Sequence, residues 1–173
     1  TFVIETNLIN LSVNDLTTCA GSSVDLNTLA STTSTFPISF HSSASASAAS
    51  LITSPYIVNS SQTIYAKITN TNPFCENIKA IDITVLPNVQ VNVSDGEVCQ
   101  NQGLNLSNLT VSPPSPGIWS GNGISNNVFT SPTPGTFNLT FTPSTQCYLA
   151  DDVAIEVLPQ PTISLGASTI CDI

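Results

Sequence analysis

The side chains best equipped for chemistry in this sequence are five cysteines, one histidine and a thin scatter of carboxylates. The cysteines stand at 19, 75, 99, 147 and 171. None forms a CxxC pair or a Cys/His cluster, so the spacing speaks against a zinc site. It recurs along the chain, which points to disulfides formed in an oxidising compartment. His41 is the sole histidine. As the base of a catalytic triad it needs a nucleophile on one ring nitrogen and a carboxylate on the other. Serines abound here, so nearness to one means little, and His41 reads as a surface or partly buried imidazole at a strand end.

Asp151 and Asp152 are adjacent. On a strand they face opposite ways and cannot work as a glycosidase pair. Calcium is the sharper alternative for them, with Asp15, Asp95 and Glu97 as further loop carboxylates. No DxDxDG loop accompanies them, and solvated acids that keep the protein soluble are the plainer reading. Trp119 is expected in the core, with an exposed sugar-stacking platform as the alternative. Tyr56, Tyr65 and Tyr148 are scattered and form no stripe. A lysine isopeptide crosslink at Lys67 or Lys79 requires a buried lysine beside an acid, which sequence does not display. Asn-x-Ser/Thr sequons begin at Asn10, Asn59, Asn92, Asn105, Asn108 and Asn138, about as many as chance supplies in so Ser/Thr-rich a chain. No catalytic residue, metal or cofactor is expected.

Charge narrows the partners. Eleven acidic and two basic residues give a net charge of −9. Nucleic acid and anionic lipid both call for a positive footprint, which Lys67 and Lys79 alone cannot make. Charged residues are 8% of the chain, against roughly 25% in an ordinary soluble domain. Hydrophobic residues are 40%, enough for a packed core and too many for a disordered chain. No apolar run approaches the roughly 20 residues of a membrane span. With no signal peptide at its start and a cysteine of the repeating pattern near its end, the sequence is expected to be a segment of a longer polypeptide.

The elements that position these residues repeat. ITVLPNVQVNVSDGEVC ends at Cys99, and AIEVLPQPTISLGASTIC ends at Cys171. Pro87 and Pro159 each lie 12 residues before the cysteine that follows and 12 after the one that precedes. The expected domains are residues 1–86, residues 87–158 and the start of a truncated third repeat at 159–173. Apolar residues alternate within each unit: Val89, Val91 and Val93; Leu104 and Leu106; Phe137, Leu139 and Phe141; Val153, Ile155 and Val157. Period two with intervening Gly, Pro, Asn and Ser turns predicts short strands in all-β sandwiches. The Ser42–Ser50 stretch, SSASASAAS, reads as a short helical crossover. Proline at each joint stiffens it, so the expected architecture is a tandem of Ig-like β-sandwich repeats forming an extended rod.

FPISFH (36–41), SPY (54–56), QTIYAKITN (62–70) and ITVLP (83–87), followed by WSGNGI (119–124), PGTFNLTFT (134–142) and IEVLP (155–159), carry a family resemblance. They are similar to Ig-like repeats in giant surface adhesins of gliding Bacteroidota, exported by the type 9 secretion system. The resemblance implies an extracellular, cell-surface filament or adhesin, such as a gliding-motility adhesin.

One bridge per repeat, Cys19–Cys75 and Cys99–Cys147, is the expected pairing, and it leaves Cys171 for the third repeat. Closing loops of about 50 residues would stabilise each unit by roughly 4 kcal/mol in the chain-entropy picture. Cys75–Cys99 with Cys147–Cys171 fits the same count. So does Cys19–Cys147 across the joint, which follows if the end of the first strand and the start of the last lie at opposite poles of a unit. The expected function is a structural stalk attaching to an extracellular surface or polysaccharide, its immediate partners being neighbouring repeats. A carbohydrate-binding module is the alternative, and self-assembly through sandwich edges a further possibility.

Overall fold

The computed structural model describes residues 9–71 and 74–162, so Cys171 and most of the expected third repeat lie outside the described residues. The chain divides into two compact units, Thr1–Asn88 and Val89–Ile173. The division falls two residues beyond the expected Leu86/Pro87 boundary. Asn88 accounts for the difference, since its Nδ2 donates to the Ala20 carbonyl of unit 1 at 3.2 Å.

Unit 1 contains β1 (Leu11–Val13), β2 (Leu16–Cys19), β3 (Ser22–Val24), β4 (Ala30–Thr32), β5 (Ile38–His41), β6 (Leu51–Ile52), β7 (Tyr56–Val58), β8 (Gln62–Thr71) and β9 (Phe74–Leu86). Its main sheet runs β2-β9-β8-β5-β6. β1 pairs with β4, and β3 with β7. Alternation in β8 sends Ile64, Ala66 and Ile68 inward. There they meet Ile81 and Ile83 of β9 and Leu11, Val24 and Leu26 from the other strands, which is the two-layer solution for sheets with one apolar face.

The Ser42–Ser50 stretch is not a crossover. β5 and β6 are antiparallel neighbours, with Phe40 opposite Ile52 and His41 opposite Leu51. The stretch is the hairpin loop between them, closed by Ser42 N–H donating to Ser50 O at 2.8 Å and ending in a single 3-10 turn, Ala48–Ser50. Small residues with weak helix preference make a tight loop here because the flanking strands are already paired.

Unit 2 contains β10 (Val89–Gln90), β11 (Asn92–Val93), β12 (Gly96–Cys99), β13 (Gly103–Asn105), β14 (Val111–Ser112), β15 (Gly117–Ser120), β16 (Ile124–Ser125), β17 (Val128–Thr130), β18 (Gly135–Pro143), β19 (Tyr148–Leu149) and β20 (Asp151–Leu158). β12-β20-β18-β15 form the main sheet, and β13-β17-β16 a second one. The alternating residues of β18 and β20 point inward onto Leu106 and Phe129. Leu106 belongs to a 3-10 turn, Leu106–Asn108, rather than to a strand.

The units share one design. In each, a short early strand runs parallel to the last strand, Leu16–Cys19 beside Ile83–Leu86 and Gly96–Cys99 beside Ile155–Leu158. In each, a 3-10 turn begins with a fully buried leucine, Leu26 or Leu106, and is capped by the residue before it, Asp25 or Asn105.

Candidate functional site

Cys19 is the last residue of β2. Its strand is fixed at the start by Asp15, whose Oδ1 accepts from the Asp82 N–H at 2.9 Å, and at the end by Ala20 N–H donating to Leu86 O at 3.0 Å. The parallel register sets Cys19 level with Leu86, at the pole where the chain leaves unit 1. Cys75 sits near the opposite end of the same β9, opposite Asn70. Asn77, two residues on, donates from Nδ2 to Ile9 O at 2.8 Å, so this is the pole where the chain enters.

Unit 2 repeats the arrangement. Asp95 Oδ1 accepts from the Ala154 N–H at 3.0 Å, and Gln100 N–H donates to Leu158 O at 2.8 Å. Cys99 is thereby level with Leu158 at the exit pole. Cys147 lies in the turn before β19 with φ +64, a left-handed conformation rare for a non-glycine residue. Its carbonyl accepts from Val89 N–H at 2.8 Å, at the entry pole of unit 2.

Cys19 and Cys147 are disulfide-bonded, as Cys19–Cys147. Cys75 and Cys99 are free and exposed. The expected pairing Cys19–Cys75 with Cys99–Cys147 is therefore corrected. The parallel early strand is the reason. It carries Cys19 along β9 to the end remote from Cys75, eleven residues away. At about 3.3 Å per residue that is about 36 Å, whereas a disulfide needs Cα atoms within about 7 Å. Cys99 is likewise carried to the end of β20 remote from Cys147. Free Cys75 and Cys99 equally leave no Cys75–Cys99 bond.

A sequence signal for this frame went unread: Asp15 and Asp95 each stand four residues before Cys19 and Cys99. Each aspartate straps the early strand to the last one, and that strap decides where the cysteine ends up.

The remaining candidates are not brought together. His41 is buried, at 4% exposure. Its Nδ1 lies 3.1 Å from Ser47 O, a carbonyl that can only accept, so Nδ1 carries a proton, and Nε2 lies 2.9 Å from Ser39 Oγ. The place a triad carboxylate would take is filled by backbone. Asp151 Oδ2 accepts from Val93 N–H at 2.7 Å, and Asp152 Oδ1 from Thr140 Oγ1 at 2.8 Å. Asp95, Glu97 and Glu156 line a shallow depression on unit 2. Among the described residues no group of three or more His, Cys, Asp or Glu side chains is placed to hold a metal. Trp119 is half-buried against the unit 2 core, with its ring centroid 5.1 Å from that of Phe141. Lys67 Nζ is 2.6 Å from Glu76 Oε1, an ion pair at the β8–β9 hairpin, while Lys79 is exposed. All six sequon asparagines are exposed. Among the described residues no helix is long and apolar enough to cross a membrane.

Residues 7–89 match the family described as the Flavobacterium inter-domain disulphide bond domain. No curated protein matches the chain. Among solved structures the chain is similar to the fibronectin(III)-like modules of Clostridium thermocellum CbhA, with 14% identity and a TM-score of 0.39 over 94% of this chain and 100% of that one. It is also similar to titin domains Z1Z2 in complex with telethonin, with 12% identity and a TM-score of 0.34 over 88% and 95%. A third likeness is to the insect immune protein hemolin, with 11% identity and a TM-score of 0.36 over 92% and 49%.

Proposed function

We propose that this chain is a load-bearing stretch of structural repeats in a secreted, cell-surface adhesin or filament of Bacteroidota, in which a disulfide ties each repeat to the next. The observation that carries the reading is the Cys19–Cys147 bond, whose two cysteines belong to different compact units. The family matched by unit 1 bears such a bond in its name. Persistence of a structural disulfide favours an oxidising, extracellular location. Contact with an extracellular surface or polysaccharide, export by type 9 secretion and a part in gliding complete the reading.

A bond at this position changes how tension travels. Force applied at the two ends reaches Cys19, crosses to Cys147 and bypasses the backbone between them. Residues 19–147 then carry no load until the bond is reduced. Stretching single molecules held at both ends tests this directly. The 128 residue steps from Cys19 to Cys147, at about 3.5 Å each, hide about 450 Å of chain. That length should be absent from the extension traces under oxidising conditions and appear on adding reductant. Its release without reductant would overturn the proposal.

A further inference from the structure

Among the described residues β15 has a partner strand on one side only: it pairs with β18 and ends the main sheet of unit 2 at that edge. Ser144 N–H donates to Pro116 O at 2.7 Å. Residues of an antiparallel pair alternate between bonded and non-bonded, so Ile118 and Ser120 likewise turn their backbone groups toward β18. Gly117 and Trp119 turn theirs outward, to the open edge.

Unit 1 fills the same place with a strand of its own. The counterpart of Trp119 there is Phe40. Trp119 lies opposite Phe141, itself opposite Asp151, and Phe40 lies opposite Ala66, itself opposite Lys79. Asp151 and Lys79 each stand seven residues before the final leucine of their unit. Phe40 has β6 on its outer side, where it faces Ile52. Unit 2 has no strand in that position, because the chain after β15 turns into β16, which joins the second sheet. The edge left open is apolar. Ile118 is 67% exposed, and no charged residue stands between Glu97 and Asp151. Sheet edges are commonly guarded by charge, as β12 at the far side of this sheet is by Glu97. β15 has no such guard.

We propose that β15 pairs with β15 of a second copy of this chain, antiparallel and across a two-fold axis at Ile118, so that two main sheets become one. The edge dictates this register. With the axis at Ile118, Gly117 of each copy faces Trp119 of the other, and both outward-turned residues exchange N–H···O=C bonds. An axis at Gly117 or Trp119 would leave the other residue to pair outside β15. The two Ile118 residues become a non-hydrogen-bonded pair with Cα atoms about 4.5 Å apart, and each covers the other's exposed side chain. Gly117 presents no side chain opposite Trp119 of the second copy, and a Cβ there would sit 2.4 Å from Phe141 Cζ. Pro116, which has no N–H, falls where none is required. Net charge does not oppose the contact. At about 4.8 Å per strand, the β20 carboxylates of the two copies stay about 24 Å apart, beyond the ~8 Å screening length of physiological salt.

A contact this small is weak and reversible, so it is best read by trapping. Ile118→Cys and Ser120→Cys are made separately in a chain that also carries Cys75→Ser, Cys99→Ser and Cys171→Ser and keeps Cys19 and Cys147. Both positions are exposed. Each protein is equilibrated in a glutathione redox buffer, and disulfide-linked dimers are measured by non-reducing electrophoresis. The proposed register brings two thiols at position 118 within disulfide reach. It holds two thiols at position 120 four residues out of step, about 13 Å along the strands, beyond that reach. The Ile118→Cys protein should therefore dimerise severalfold more than the Ser120→Cys protein. A Ser120→Cys yield equal to or above that of Ile118→Cys would defeat the pairing, as would capping of both thiols by glutathione without dimers. Mapping of Cys19–Cys147 in both samples verifies that the fold is intact, so a negative result counts against the pairing and leaves the proposed function standing.

Discussion

The capping residues of the two 3-10 turns that begin with a buried leucine, Asp25 and Asn105, differ by a single atom type, and that difference is measurable. Asp25 Oδ1 accepts from Ser54 Oγ at 2.7 Å, from Asn27 N–H at 3.1 Å and from Asn27 Nδ2 at 2.9 Å. The Ser54 hydroxyl, then the two Asn27 donors, hold its carboxyl below the ordinary aspartate range. A carboxyl depressed in the folded state adds stability at pH values above its unfolded pKa of about 3.9. That contribution fades as pH falls through the lower, folded value. Asn105 accepts from Ser107 N–H at 3.0 Å with an uncharged amide oxygen. Asp25→Ala should therefore destabilise unit 1 at neutral pH and cost progressively less as acid protonates the wild-type carboxyl. Asn105→Ala should cost unit 2 about 1 kcal/mol at every pH where the fold persists. Chemical denaturation followed from neutral pH into acid checks the pair. A loss at Asp25→Ala that stayed constant into strong acid would contradict the assignment.

At the scale of elements, what could be read from the sequence is what period two records. Val153, Ile155 and Val157 alternate because β20 is packed on one face, and the pattern shows which side that is. What periodicity omits is direction. Nothing in LTTC or GEVC states that β2 and β12 run parallel to the last strands, and the mistaken cysteine pairing followed from that omission. The WSGNGI motif was visible as a string, while its cause is steric: Gly123 has φ +86, and a Cβ there would sit 2.5 Å from the Thr130 carbonyl oxygen. The 3-10 turns were invisible because three residues carry no period, although two of them place a leucine in a core. Leu106 is fully buried among Phe129, Leu139 and Ile155. Leu106→Ala should cost about 2–5 kcal/mol through lost burial and the cavity left behind. The unit 1 core is a separate cluster, so the loss should be local. Amide exchange should accelerate in β18 and β20 while β8 and β9 keep their protection. Equal acceleration in both units would show that they unfold as one.

At the scale of the whole molecule, covalent connectivity decides between a string of sandwiches and a braced one, and the scarcity of basic residues makes it easy to read. Lys67 and Lys79 are the only basic side chains, so a lysine-specific protease cuts the denatured chain into residues 1–67, 68–79 and 80–173. Cys19 is alone in the first piece and Cys75 alone in the second, while Cys99, Cys147 and Cys171 share the third. With free thiols blocked before denaturation and no reductant present, Cys19–Cys147 joins the first piece to the third and releases 68–79 with a blocked Cys75. Pairing within repeats would instead join the first piece to the second. A Cys75–Cys99 bond would join the second to the third. Adding reductant should separate the large pieces, and Cys147→Ser should separate them without it. Recovery of 68–79 attached to either neighbour would refute the connectivity on which the braced filament depends.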